Sequence, residues 1–106
     1  MFNDDQKTLA LNFAQQLAQR NYKVAYAMCS QNLQSQLTLD DLHEQFEDMI
    51  PLDWGRIEPI ELDKNGDYPF VYVVLGGDVY SEAIFINSFV IENSSLNIES
   101  FEFGRP

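Results

Sequence analysis

The spacing of apolar residues changes about halfway along the chain. Up to Pro51, apolar side chains recur every three or four positions, as they do on one face of a helix. After Trp54-Gly55 they recur every second position or in short continuous runs, which is typical of strands. Helices that all precede the strands predict an α+β fold, with N-terminal helices packed on a curved antiparallel sheet of about four strands.

The first part of the helical half is predicted to hold a long helix and a short one. The long helix begins at Asp4 or Asp5, either of which can cap it and favour the positive end of its dipole. Its pattern breaks at Arg20-Asn21, and a second helix is expected over Tyr22 to Cys29.

A polar segment separates these helices from a third. Residues 30–37 (SQNLQSQL) are predicted to form a loop or one irregular turn. Thr38 is followed three residues later by Asp41, a variant of the capping box, so the third helix begins there. Pro51 ends this helix because proline lacks the amide hydrogen that a helix interior needs.

Turn residues divide the second half into four predicted strands. The strand candidates are Arg56–Leu62, Tyr68–Leu75, Val79–Ile91 and Leu96–Phe103. The turns between them are predicted at Asn65-Gly66, Gly76-Gly77-Asp78 and Asn93-Ser94-Ser95. Such short turns connect antiparallel neighbours, so the expected sheet is a meander.

The third predicted strand is long and apolar on both faces. Alternation places Phe85 and Phe89 on one face and Ile84, Ile86 and Val90 on the other. In the fourth strand, two phenylalanines at positions 101 and 103 are out of step with the apolar residues at 96 and 98, which predicts a bulge and a bend. The second face could line a cavity or form a homodimer, with Phe85 or Ile86 at the seam.

Residues 20–46, RNYKVAYAMCSQNLQSQLTLDDLHEQF, resemble small bacterial members of the nuclear transport factor 2-like superfamily. The resemblance lies in a tyrosine–x–x–alanine step from Tyr22 to Ala25, a loop that ends in leucine–threonine, and an acidic helix with Leu42 and Phe46. It covers about residues 8–103 and implies the cone-shaped, cystatin-like α+β fold. The superfamily includes isomerases, ligand-binding proteins, accessory proteins and immunity proteins that neutralise bacterial toxins.

Length and charge narrow the classes of function. A chain of 106 residues fits a single domain, 1–106, with a helical part at 4–50 and a sheet part at 56–103. Its net charge of −11 argues against a direct nucleic-acid partner, because phosphate contacts need a basic surface. No apolar run approaches a membrane span, and the N-terminus lacks the pattern of a signal peptide. With Cys29 as the single cysteine, a reducing, cytoplasmic location is predicted.

Few residues suggest chemistry. His43 lies among carboxylates on the third helix, where a solvated or rim position is more common than a catalytic one. An isomerase-like site would require Tyr22 or Tyr26 as a donor and Asp78 as a carboxylate, although a core role explains Tyr26 and a turn role explains Asp78 more simply. No metal or cofactor motif is present, and Cys29 has no second ligand nearby in sequence.

The acidic residues are concentrated where basic residues are missing. No Lys or Arg occurs between Val24 and Gly55. The predicted partner-binding residues in that stretch are Asp40, Asp41, Glu44, Glu47, Asp48, Asp53 and Trp54. We expect a non-enzymatic protein of the immunity type that binds a basic toxin or a similar protein, because opposite charges speed and select association. A small-ligand pocket with isomerase-like chemistry is the alternative, and a merely solubilising acidic surface also stays open.

Overall fold

The computed structural model describes residues 3–62, 71–77 and 81–104. The helices are α1 (Asp4–Ala18), α2 (Tyr22–Ala27), α3 (Gln31–Gln36) and α4 (Leu39–Met49), followed by a short 3₁₀ helix, Leu52–Trp54. The strands are β1 (Glu58–Leu62), β2 (Val71–Gly76), β3 (Ser81–Glu92) and β4 (Ser95–Gly104). They form one sheet in the order β1-β2-β3-β4, and each strand is antiparallel to the next. The predicted α+β class is confirmed.

Helix α1 is capped by a residue that precedes the predicted caps. The Asn3 side chain accepts a hydrogen bond from the Gln6 amide at 2.8 Å, and the Gln6 side chain accepts one from the Asn3 amide at 2.9 Å. This reciprocal pair is a capping box. Asp4 and Asp5 lie in the first turn, where negative charge favours the helix dipole, so the prediction that one of them caps α1 is wrong.

The polar segment 30–37 contains a helix, which the sequence reading missed. Ser30 caps α3 by accepting a 3.0 Å hydrogen bond from the Leu33 amide. The Tyr26 hydroxyl holds the end of α3 by donating to the Leu37 carbonyl at 2.8 Å, with the Gln34 carbonyl also within reach at 3.1 Å. Contacts from outside the segment therefore stabilise a helix that its own apolar pattern does not reveal.

Helix α4 begins as predicted. The Asp41 amide donates to Thr38 Oγ1 and the Thr38 amide donates to the Asp41 carboxylate, both at 3.0 Å. The helix ends at Met49, two residues before Pro51. Among the described helices, none has the length and apolar character needed to cross a membrane.

The core lies between the helices and one face of the sheet. Helix α1 contributes Phe13, whose ring meets Phe101 of β4 edge to face with 5.1 Å between centroids. Phe46 of α4 meets Phe103 in the same way at 5.8 Å. The fully enclosed residues on the helix-facing side of the sheet include Val71, Val73, Leu75, Ile84, Ile86 and Ile98.

Strands β3 and β4 both change face at one irregularity. Ile86 pairs with Phe101 and Phe89 pairs with Ile98, and all four of these side chains pack in the helix-side core. Between these pairs the register shifts, and Ser88 faces Ser100 with their hydroxyl oxygens 2.7 Å apart. The predicted bulge is confirmed, and the bend stays a prediction.

The same irregularity corrects two predictions about faces. Phe85 alternates with core residues and contacts Tyr72, at 5.1 Å between ring centroids, on the face away from the helices. Phe89 packs in the core, so Phe85 and Phe89 do not share a face. Ile86 is also a core residue, so of the two predicted dimer-seam residues only Phe85 lies on the outer face.

The outer edge of β4 is bonded to the helical half. The Ser30 amide donates to the Ile98 carbonyl and the Ile98 amide donates to the Met28 carbonyl, both at 2.8 Å. Cys29 thus forms a parallel bridge with Ile98. This bridge explains why α2 ends at Ala27. The prediction that α2 reaches Cys29 is therefore wrong.

Candidate functional site

Helix α4 presents a stripe of carboxylates to solvent. Asp40, Glu44 and Asp48 are exposed and lie four residues apart, so they share one side of the helix. Asp53 is exposed on the 3₁₀ helix that follows. The described residues offer none of these four carboxylates an ion-pair partner. We call these four residues the acidic stripe.

Two other predicted binding residues are held within the molecule. The Asp41 carboxylate accepts the Thr38 amide in the capping box. Glu47 lies on the side of α4 that faces α2, where its carboxylate accepts the Tyr22 hydroxyl at 2.7 Å. Both side chains therefore contribute to the structure of α4, in contrast to the acidic stripe.

Glu47 is the centre of a polar cluster that links α2 and α4. Its Oε2 atom lies 3.2 Å from His43 Nε2 and 3.8 Å from Arg20 Nη1. The hydrogen bond from Tyr22, followed by the nearby His43 and Arg20, lowers the pKa of Glu47 against the opposing effect of burial. Burial raises the pKa of Tyr22, so its hydroxyl keeps its proton and remains a donor.

His43 lies at the rim of this cluster. Its ring stacks on Tyr22 with 4.4 Å between centroids, and 52% of its side chain is exposed. The contact with Glu47 places a proton on Nε2, since a carboxylate oxygen can only accept. A stacked and largely solvated imidazole matches the predicted rim position, and its role remains a prediction.

Arg20 stabilises the end of α4 from outside that helix. Its Nη1 atom donates to the Ile50 carbonyl at 2.9 Å and its Nη2 atom donates to the Pro51 carbonyl at 3.4 Å. The guanidinium also lies 5.2 Å from the centre of the Phe46 ring. The two charged residues in the last turn of α4, Glu47 and Asp48, are both acidic, which opposes the dipole, so this external cation offsets an unfavourable arrangement.

The 3₁₀ helix exposes a residue different from the one the sequence indicated. Trp54, predicted to contact a partner, is half-buried and packs against the core. Leu52 is 66% exposed and is one of three large apolar side chains found exposed among the described residues. Leu52 is therefore the exposed apolar side chain next to the acidic stripe.

A groove runs between the start of α2 and the start of α4. Its volume is about 370 Å³. It is lined by Arg20, Asn21, Tyr22, Lys23, Val24, Leu39, Asp40 and His43. The groove is lined by both basic and acidic side chains, whereas the acidic stripe contains only acidic ones.

Only one residue of the alternative isomerase-like pair, Tyr26, lies among the described residues. Asp78 lies outside them. The Tyr26 hydroxyl is within hydrogen-bond distance of two main-chain carbonyls of the α3 segment, which gives it a structural role. Burial raises the pKa of the Cys29 thiol to about 12, so this thiol is protonated at neutral pH and is not a nucleophile.

Within the described ranges, no group of three or more His, Cys, Asp or Glu side chains could hold a metal ion. Comparison of the chain with protein family models, curated proteins and solved structures finds no match in any of the three.

The sequence reading missed the partners of Arg20 and Tyr22. The break at Arg20-Asn21 was visible, and Arg20 adopts the left-handed conformation there, with φ 65°. Its partners, however, are about 30 residues away in sequence. No periodic pattern shows which of six nearby carboxylates a distant arginine or tyrosine will contact.

Proposed function

We propose that this chain is a cytoplasmic, non-enzymatic binding protein of the immunity type, which neutralises a basic toxin or a similar basic protein. The observation that carries the proposal is the acidic stripe. Asp40, Glu44 and Asp48 project from one side of α4 without an ion-pair partner among the described residues. Charges that are not used within a molecule are available to a partner of opposite sign.

The way in which α4 is held at its two ends adds support to this proposal. A surface that merely solubilises the chain needs no fixed geometry, whereas α4 is fixed at both ends. The capping box holds its first turn and Arg20 holds its last carbonyls. The main chain that carries the stripe is therefore fixed, so binding costs less main-chain entropy than binding through a mobile loop would cost.

A basic partner follows from electrostatics. Proteins that act on nucleic acids are basic because they contact phosphates, so toxic nucleases fit this surface. Complementary fields raise the rate of encounter and disfavour partners of the wrong sign. Membership of the nuclear transport factor 2-like superfamily belongs to the same proposal, supported by the residues of segment 20–46 and by the order of helices before a meander.

The experiment compares two charge-reversed variants of equal net charge. Glu44→Lys combined with Asp48→Lys alters the stripe, and Glu58→Lys combined with Glu102→Lys alters exposed residues of the sheet. Glu47 is left intact because its loss would also break the cluster with Tyr22. Each immobilised protein is tested for retention of basic proteins from the host lysate at low and at high salt, and affinity is then measured with the retained partner.

We expect the wild type and the sheet variant to retain a basic protein at low salt and to release it at high salt. The stripe variant should bind it at least tenfold more weakly, with a shallower dependence on salt, because two opposed charges are reversed. An affinity and a salt slope equal to those of the sheet variant would rule out the stripe as the binding surface. A large toxin-bearing gene next to the gene for this chain would support the immunity type.

A further inference from the structure

We infer that Leu52, next to Asp53 at one end of the acidic stripe, is the apolar contact of this binding surface, and that the partner has an apolar pocket bordered by Lys or Arg. The inference rests on the proposed function and adds a specific anchor residue to it. Leu52 follows α4 on the 3₁₀ helix and is 66% exposed. A single exposed leucine is common on protein surfaces, so the inference depends on its position between the exposed carboxylates of Asp48 and Asp53.

The main chain around Leu52 is held in place. The Trp54 amide donates to the Pro51 carbonyl at 3.1 Å and the Gly55 amide donates to the Leu52 carbonyl at 3.3 Å. Arg20 contacts the Pro51 carbonyl as well. Because this turn is fixed before a partner arrives, little main-chain freedom is lost when Leu52 is buried.

Charge specifies the surroundings of the pocket. Leu52 directly precedes Asp53 and follows Asp48 by four residues, and both carboxylates are exposed. A purely apolar partner surface would have to desolvate these charges without compensation, which is costly. A pocket with cations at its border satisfies both carboxylates while it buries the leucine, so charge complementarity favours a basic protein over a lipid surface or a neutral peptide.

Trp54 cannot fill this role in the observed conformation. Its side chain packs against the core on the inner side of the same turn. A tryptophan at an interface often dominates the binding energy, and Trp54 is among the residues that the sequence predicts to contact a partner. The structure assigns the outward position to the residue two places earlier.

The chain offers a matched control. Ile91 is 72% exposed and lies at the end of the β3–β4 hairpin, beside the first half of α1. Leu52 belongs to the loop that Arg20 contacts, just beyond the other end of α1. A helix of 15 residues spans roughly 22 Å, so the two side chains are apolar, exposed and well separated.

The test introduces a photo-crosslinking phenylalanine derivative at position 52 or at position 91 of the full chain in its own host. We expect a crosslinked product at position 52, identified by mass spectrometry as a protein of positive net charge, and none at position 91. Asp48→Lys combined with Asp53→Lys should remove the product. With that protein purified, Leu52→Ser should weaken binding about tenfold, while Ile91→Ser should change it less than twofold.

The outcomes separate this inference from the proposed function. No product at position 52, or an equal product at position 91, overturns the inference. An unchanged affinity of Leu52→Ser also overturns the inference. The proposed function survives that result if the stripe variant binds the partner weakly. If instead the product at position 52 persists after the charge reversals, Leu52 contacts a partner but the electrostatic basis of the proposed function is wrong.

Discussion

The hydroxyl of Tyr22 donates a hydrogen bond of 2.7 Å to Glu47 Oε2, across 25 residues of sequence. Through this bond the start of α2 is joined to the last turn of α4. One carboxylate of an acidic helix is thereby assigned to the fold, while its neighbours at positions 44 and 48 remain exposed.

Removing the Tyr22 hydroxyl should reduce the loss of folding stability that occurs as the pH falls. The depressed pKa of Glu47 means that the folded state favours the carboxylate. This contribution is present above the ordinary glutamate value of 4.5 and is lost as the pH falls through the lower, folded-state pKa. We expect Tyr22→Phe to be less stable than the wild type at pH 7, with the difference shrinking below pH 4.5.

Urea unfolding of both proteins at several pH values measures this difference directly. Glu44→Gln is the matched control, because Glu44 is exposed on the same helix. Its stability should follow the wild type at every pH. A Tyr22→Phe deficit that stays constant down to pH 3 would contradict the assigned coupling between Tyr22 and Glu47.

Loss of Arg20 should loosen the end of α4. Arg20→Ala removes the donors for two carbonyls, those of Ile50 and Pro51, and we expect it to lower the free energy of unfolding by about 2 kcal/mol. Arg20→Lys should cost less, since it keeps the charge but lacks the fork that reaches both carbonyls. Lys23→Ala, at a nearby exposed cation, should stay within about 0.5 kcal/mol of the wild type. Equal effects of Arg20→Ala and Lys23→Ala in urea unfolding would refute the capping role.

A methyl group at Gly104 should collide with the ring of Phe85 on the outer face of the sheet. A Cβ atom built there would lie 2.9 Å from Cε2 of Phe85, closer than two non-bonded carbon atoms tolerate. We expect Gly104→Ala to lower the midpoint of thermal unfolding, at a cost of about 1–2 kcal/mol. In a Phe85→Leu background the ring is absent, so the same substitution should cost much less. An unchanged cost in that background would show that Phe85 is not the cause.

The Cys29 thiol should be inert in the folded protein. Burial raises its pKa to about 12, so only a minute fraction is thiolate at pH 8. We expect a disulfide reagent such as Ellman's to react negligibly in buffer and to label one thiol per chain in guanidinium chloride. Rapid labelling without denaturant would contradict the burial of this side chain.

The features that could be predicted from the sequence depend on local patterns. The capping box at Thr38 and Asp41 links residues three positions apart, and the turn at Asn93-Ser94 requires positive φ angles, which both residues adopt. The apolar residues at 101 and 103 are out of alternation with those at 96 and 98, and this pattern indicated the irregularity in β4. In each of these cases the signal lies within a few residues of the feature.

The features that were missed depend on distant contacts. Helix α3 is held by Tyr26, and the partner of the β4 irregularity lies in β3, where the change of face moved Phe89 into the core. The exposure of Leu52 and the burial of Trp54 follow from how one short turn sits against the core. Amphipathic spacing cannot decide such positions, because it describes one element at a time.

The bridge between Cys29 and Ile98 also bears on aggregation. A sheet that grows into a fibril must offer an open strand on both sides, one for each neighbouring molecule. In this fold the amide and carbonyl of Ile98 are already bonded to the chain's own Ser30 and Met28. Strand-by-strand addition at β4 would first have to break that bridge, so the fold protects this edge at Ile98 against association with a second sheet.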